Sequence, residues 1–98
     1  MMAFSKNEEE IIYQLSDMLD ELLRTLDLLG ENTELYYRYI RKVRHILNTK
    51  DPKGMRNVKQ HLMMDFRMIE DRQLEGNHLD DVLEKIYYQV SNNKIFKP

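Results

Sequence analysis

The sequence predicts an all-α fold, an antiparallel four-helix bundle, on three observations. Apolar residues recur at 3-4 spacing along most of the chain, and no stretch alternates with period 2 for long enough to be a strand. Breakers are few, with 3 Gly and 2 Pro in 98 residues, and most of them stand between the apolar stretches. Leu, Met, Glu, Lys, Arg and Gln, which lose little freedom in a helix, fill much of the rest. Short connections make consecutive helices antiparallel neighbours. The alternative is a set of helical hairpins completed by dimerisation, because the first helix carries more apolar surface than one seam requires.

The first helix is expected from about Ser5 to Leu29. Ser5 is a good N-cap and Glu8 completes a capping box. Glu8, Glu9 and Glu10 then lie where the helix dipole favours acids. Ile12, Leu15, Leu19, Leu22, Leu26 and Leu29 form one seam, widened by Ile11, Met18, Leu23 and Leu28, and Gly30 ends it. The second helix is expected over 33–48, burying Tyr36, Tyr39 or Ile40, Val43, and Ile46 or Leu47. Residues 48–54 are the clearest break, with Asp51 as a cap and Pro52 at a first helical position. The third helix follows over 52–74 with a seam of Met55, Val58, Leu62, Phe66 and Ile69, ended by Gly76. The fourth spans 78–91, capped by Asn77 and buried through Leu79, Val82 or Leu83, Ile86, Tyr87 and Val90. In the tail, 92–98, Ile95 and Phe96 either tuck onto the bundle or fray. The whole of 1–98 reads as one domain.

Charge is segregated along the chain. Residues 1–30 carry seven acids against two bases, and residues 31–61 carry eight bases against three acids. All eight of those bases lie between Arg38 and His61. With no cysteine, disulfides, thiolate metal sites and cysteine nucleophiles are excluded. Neither a signal-type apolar segment nor a membrane-length apolar run is present, which points to the cytoplasm and away from the membrane.

The basic corner supplies the candidate binding residues Arg38, Arg41, Arg44, Arg56 and Lys59. Several cations on one face suit phosphate contacts, and Tyr36, Tyr37 and Tyr39 could stack on single strands, so nucleic-acid binding is one reading. The opposing reading is a face solvated or paired with the acids of the neighbouring helices. Metal binding has thin support. His61 with Asp65 and His78 with Asp81 share helix faces but make only two-ligand pairs. The acids Glu10, Asp17, Asp20 and Glu21 approach the carboxylate pattern of all-helical nucleotide pyrophosphatases, and a solvated face is the default. No cofactor is implied. Met55, Met63, Met64 and Met68 fall in one helix, as core filling or as an adaptable groove, and Tyr87-Tyr88 suits an interface.

Arg56-Asn57-Val58-Lys59-Gln60-His61 reads R-N-x-x-x-H. It resembles the R-x4-6-H signature of HEPN domains, which are all-helical and often act as metal-independent RNases in dimer clefts. The resemblance implies Arg56 on the scissile phosphate, His61 as acid/base and Asn57 as the polar second residue. No catalytic set arises otherwise. The leading expectation is a small non-enzymatic protein that binds another protein, of the regulator, inhibitor or immunity type found in bacteria and phages. An RNase using Arg56 and His61 and a nucleic-acid binder using residues 38–61 are the alternatives, and a homodimer is compatible with each.

Overall fold

The computed structural model describes residues 4–74 and 76–97, apart from the side chain of Asn77, and these are all-helical without a strand. The order is α1 (Lys6–Leu28), α2 (Arg38–Thr49), α3 (Pro52–Met55), α4 (Val58–Asp71), α5 (Asn77–Asn92) and a 3-10 turn (Lys94–Phe96). The main contacts of α1 are with α2 and α5, those of α4 are also with α2 and α5, and α3 sits on α2. The four longer helices therefore touch in a ring, which is compatible with a four-helix bundle.

Helix α1 starts on a capping box. The Glu8 N–H donates to Ser5 Oγ at 3.2 Å, and the Ser5 N–H donates to Glu8 Oε1 at 2.9 Å. Ile12, Leu15, Leu19, Leu22 and Leu26 are fully buried. Gly30 takes φ 91°, so its N–H reaches Asp27 O and the Glu31 N–H reaches Leu26 O, both at 3.0 Å. That paired C-terminal motif needs a residue at ease in the left-handed region. Leu29, expected in the seam, is exposed where the chain turns, and Leu28, expected to widen it, is exposed because it lies about 200° round the helix from buried Leu26.

Helix α2 starts at Arg38, five residues later than the spacing predicts. Polar side chains hold the preceding segment out of helix. Asn32 Oδ1 accepts from the Glu34 and Leu35 N–H groups at 3.1 and 3.2 Å, and Thr33 Oγ1 donates to Asp27 Oδ1 at 2.8 Å. Tyr37 then adopts a left-handed conformation, φ 64° and ψ 37°. That conformation costs about 1–2 kcal/mol for a residue with a Cβ. Burying the ring returns roughly 1.5–3 kcal/mol, and Tyr37 is only 1% exposed. Tyr36, expected in the buried stripe, is exposed instead.

The third expected helix is broken in two. Asp51 Oδ1 accepts from the Lys53 N–H at 3.1 Å, and Pro52 opens the single turn α3. At Asn57 the backbone leaves helix, φ −106° and ψ 0°, before α4 begins. Helix α4 ends at Asp71 rather than near Gly76, because Gln73 takes the left-handed position (φ 56°). Residue 77 opens α5, and the expected cap by its side chain lies outside the described residues. Leu79, Val82, Ile86 and Val90 are buried along α5, while Tyr87, expected among them, is exposed. Asn93 Nδ2 donates to Gln89 O at 2.7 Å, and the 3-10 turn that follows carries Phe96 into the core, where it is fully buried.

A candidate binding groove on the outer face of α4

The cations of the basic corner separate into two groups. Arg41 donates through Nη1 to Thr33 O and to Tyr36 O, the latter at 2.7 Å, so it ties α2 to the loop before it. Arg44 Nε lies 2.7 Å from Asp20 Oδ1 on α1. Lys50 Nζ lies 2.9 Å from Glu9 Oε2 and donates to the Tyr13 hydroxyl at 2.8 Å. Arg44 and Lys50 hold the basic helix against the acidic one, which is the pairing that the charge segregation allowed. Arg38 stays exposed and packs over the Tyr39 ring, 5.0 Å from its centroid.

Arg56 and Lys59 belong to the second group. With Asn57, Gln60, Met63, Met64 and Arg67 they line a groove of about 410 Å³. The break at Asn57 places Arg56 at one end. The α-helical period then brings Lys59, Met63 and Arg67 round the same face of α4. Among the described residues none of Arg56, Lys59 and Arg67 forms an ion pair. Lys59 lies over the Tyr87 ring of α5, 5.2 Å from its centroid. Arg67 was not among the expected binding residues, since it lies outside the basic stretch; its spacing of eight from Lys59 is the signal that could have found it.

On the other side of Met64 a second cavity, of about 280 Å³, is lined by Leu35, Tyr36, Tyr37, Arg38, Tyr39, Met64, Asp65 and Met68. Met64 lines both and is 50% exposed, so it forms the ridge between them.

His61 is not part of the groove that Arg56 lines. Its ring stacks on Tyr39 of α2, with centroids 5.8 Å apart and planes 21° from parallel. Burial, and then the nearby Lys42 charge, push the imidazole below its ordinary pKa. The R-N-x-x-x-H residues therefore point to different surroundings, Arg56 to the groove and His61 to α2. Asp65, one turn from His61, does not join it. Its Oδ2 accepts the Ile40 N–H at 2.8 Å and caps α2 from another helix, because Tyr37 at the cap position offers no side-chain hydrogen bond. Burial raises the Asp65 carboxyl above the ordinary range, against the lowering effect of the Ile40 and Tyr39 N–H groups.

A second polar cluster also escaped the sequence reading. Buried Glu31 accepts from the Tyr37 hydroxyl through Oε1 and from both arms of Arg72, with Arg72 Nη2 at 2.6 Å from Oε2. The Arg72 hydrogen bond holds the Glu31 carboxyl below its ordinary pKa. Burial first, and then the Glu31 hydrogen bond, raise the Tyr37 phenol. This cluster ties the loop before α2 to the end of α4.

Among the described residues no three His, Cys, Asp or Glu side chains come close enough to hold a metal ion. His78 Nε2 faces Glu21 Oε1 at 2.9 Å rather than Asp81, which faces Lys85 at 3.6 Å. No described helix is long and apolar enough to cross a membrane. Comparison with protein-family models, curated proteins and solved structures gave no match.

Proposed function

We propose that this chain is an antiparallel four-helix bundle that acts in the cytoplasm by binding another protein, without catalysis, through the groove on α4. The observation that carries the reading is a groove lined by methionines beside cations that form no ion pair among the described residues. Met63 and Met64 supply adaptable apolar contacts, and Arg56, Lys59 and Arg67 supply charges that no carboxylate of the described chain neutralises. Exposed apolar side chains ringed by polar ones mark contact surfaces, and unpaired like charges steer an oppositely charged partner. Arg41, Arg44 and Lys50 have structural roles and fall outside the binding surface.

The test is affinity capture from the cells that produce the chain. A discrete protein is expected to come down with the wild type and with Arg44→Ala, and to be lost with the double variant Arg56→Glu/Lys59→Glu. Capture that ignores the double variant, or that disappears on nuclease treatment, refutes the reading.

A further inference from the structure

The two cavities lie on either side of Met64 on the outer face of α4, a broad trough divided by that ridge. One is walled by Arg56, Lys59, Met63 and Arg67, the other by Tyr36 and Met68, and Met64 is common to both. We propose that the occupant of this trough is an acidic amphipathic helix of the partner protein, laid lengthwise along α4. This inference rests on the protein-binding reading above and names the chemistry of the partner.

Three features select that occupant. The first is charge. The trough presents Arg56, Lys59 and Arg67 without ion pairs among the described residues, on a chain whose formal net charge is −2. A local positive surface on an otherwise acidic protein attracts acids and repels bases. The second is shape. The described chain offers no strand, and so no sheet edge to which an extended peptide could add. Its outer trough follows a helix of 14 residues, about 21 Å at 1.5 Å per residue. A partner helix of similar length sets anchors at i, i+3 or i+4, and i+7 into the depressions on each side of the Met64 ridge.

The third feature separates a polypeptide from a nucleic acid. Single strands need aromatic faces on which bases can stack. The larger of the two cavities is lined by Met63 and Met64 and by no aromatic side chain. In the smaller one Tyr39 is already stacked with His61 and covered by Arg38, and Tyr36 lies under the Arg72 guanidinium at 5.8 Å. Thioether side chains gain from contact with apolar anchors and gain nothing from a phosphate backbone. The three cations Arg56, Lys59 and Arg67 thus serve carboxylates flanking an apolar stripe.

The experiment is a display selection with random peptides of about 16 residues, a length close to that of α4. The bait is the full chain, with Arg56→Glu/Lys59→Glu/Arg67→Glu as the counter-selection. Enriched peptides are expected to carry apolar residues at i, i+3 or i+4, and i+7, flanked by excess Asp and Glu, and to gain helical circular dichroism on binding. Met64→Lys and, independently, the exposed Arg67→Ala are each expected to weaken the best peptide by about tenfold or more. Groove-dependent winners that are neutral, basic or extended would overturn the partner chemistry and leave protein binding standing. An absence of any groove-dependent peptide would overturn both. A fluorescent single-stranded RNA that binds more tightly than the best peptide, and is lost with the triple variant, would overturn both in favour of a nucleic-acid ligand.

Discussion

Asp65 holds the start of the helix that carries Arg38, Arg41 and Arg44, and replacing it separates hydrogen bonding from charge. Its carboxylate is 3% exposed and accepts the Ile40 N–H at 2.8 Å. Helix α2 receives no cap from its own Tyr37, so Asp65→Ala removes the side-chain acceptor observed at that terminus. Losing this cap leaves a buried N–H without a partner, which costs roughly 1–3 kcal/mol. A loss of about 2 kcal/mol amounts to a drop in Tm of roughly 8–16 °C for a domain of this size. Asp65→Asn keeps an oxygen that can accept from Ile40 and gives up the favourable charge at the helix N-terminus, but it also relieves the burial of an ionised group. Its expected cost is about 1 kcal/mol. Urea unfolding followed by far-ultraviolet circular dichroism, with an unchanged m-value, measures both. Burial raises the Asp65 pKa in the folded state above 3.8, so the native protein binds that proton more tightly than the unfolded chain does. The stability it contributes is present below 3.8 and is lost as pH rises through the raised value. Asp65→Asn has no such loss and should close on the wild type as pH rises. Equal losses for Ala and Asn, or an Asp65→Ala protein within about 0.5 kcal/mol of wild type, would refute the capping role.

Gly54→Ala tests packing against propensity: helix propensity favours Ala by about 1 kcal/mol, yet a Cβ there would stand 2.8 Å from Ile46 Cγ2 and 3.0 Å from Cγ1. The clash is expected to win, with a destabilisation of about 1–3 kcal/mol in thermal unfolding; a stabilised variant would contradict it. Glu31→Gln should lose stability relative to wild type above pH 4.5, with the gap shrinking as pH falls through the lowered folded-state pKa of Glu31; a gap that widens with acid would count against the Arg72 hydrogen bond as its cause. Arg44→Ala removes an ion pair at two half-exposed side chains, so unfolding should change by no more than about 1 kcal/mol, and peptide binding to the groove should be unchanged.

Regular stretches and the Asp51-Pro52 break were legible in the chain, and the other irregular segments were not. The seam of α1 repeats for long enough that no other period fits, and Ser5, Glu8 and Gly30 are local signals at its ends. The segment 33–37 carries a helical pattern too, but Asn32, Thr33 and Asp27 form hydrogen bonds that compete with helix, and the left-handed Tyr37 is favoured only because a buried pocket and Glu31 receive it. The break at Asn57 and the left-handed Gln73 have no glycine or proline to announce them. The basic stretch was visible as composition, yet composition could not divide it. Arg44 and Arg56 are alike in sequence, and one meets Asp20 while the other lines the groove.

Local periodicity and capping chemistry are properties of neighbours along the chain, so the sequence by itself determined that the chain is helical, where α1 lies, and which residues could be buried. Tertiary structure decided which cations are neutralised, which tyrosine enters the core and which methionines face outward. Each of those outcomes depends on groups brought together from distant parts of the chain: Lys50 with Glu9, Arg72 with Glu31, Asp65 with Ile40. Electrostatic and hydrogen-bond partners act over a few ångströms in space, and a one-dimensional pattern carries no measure of that distance.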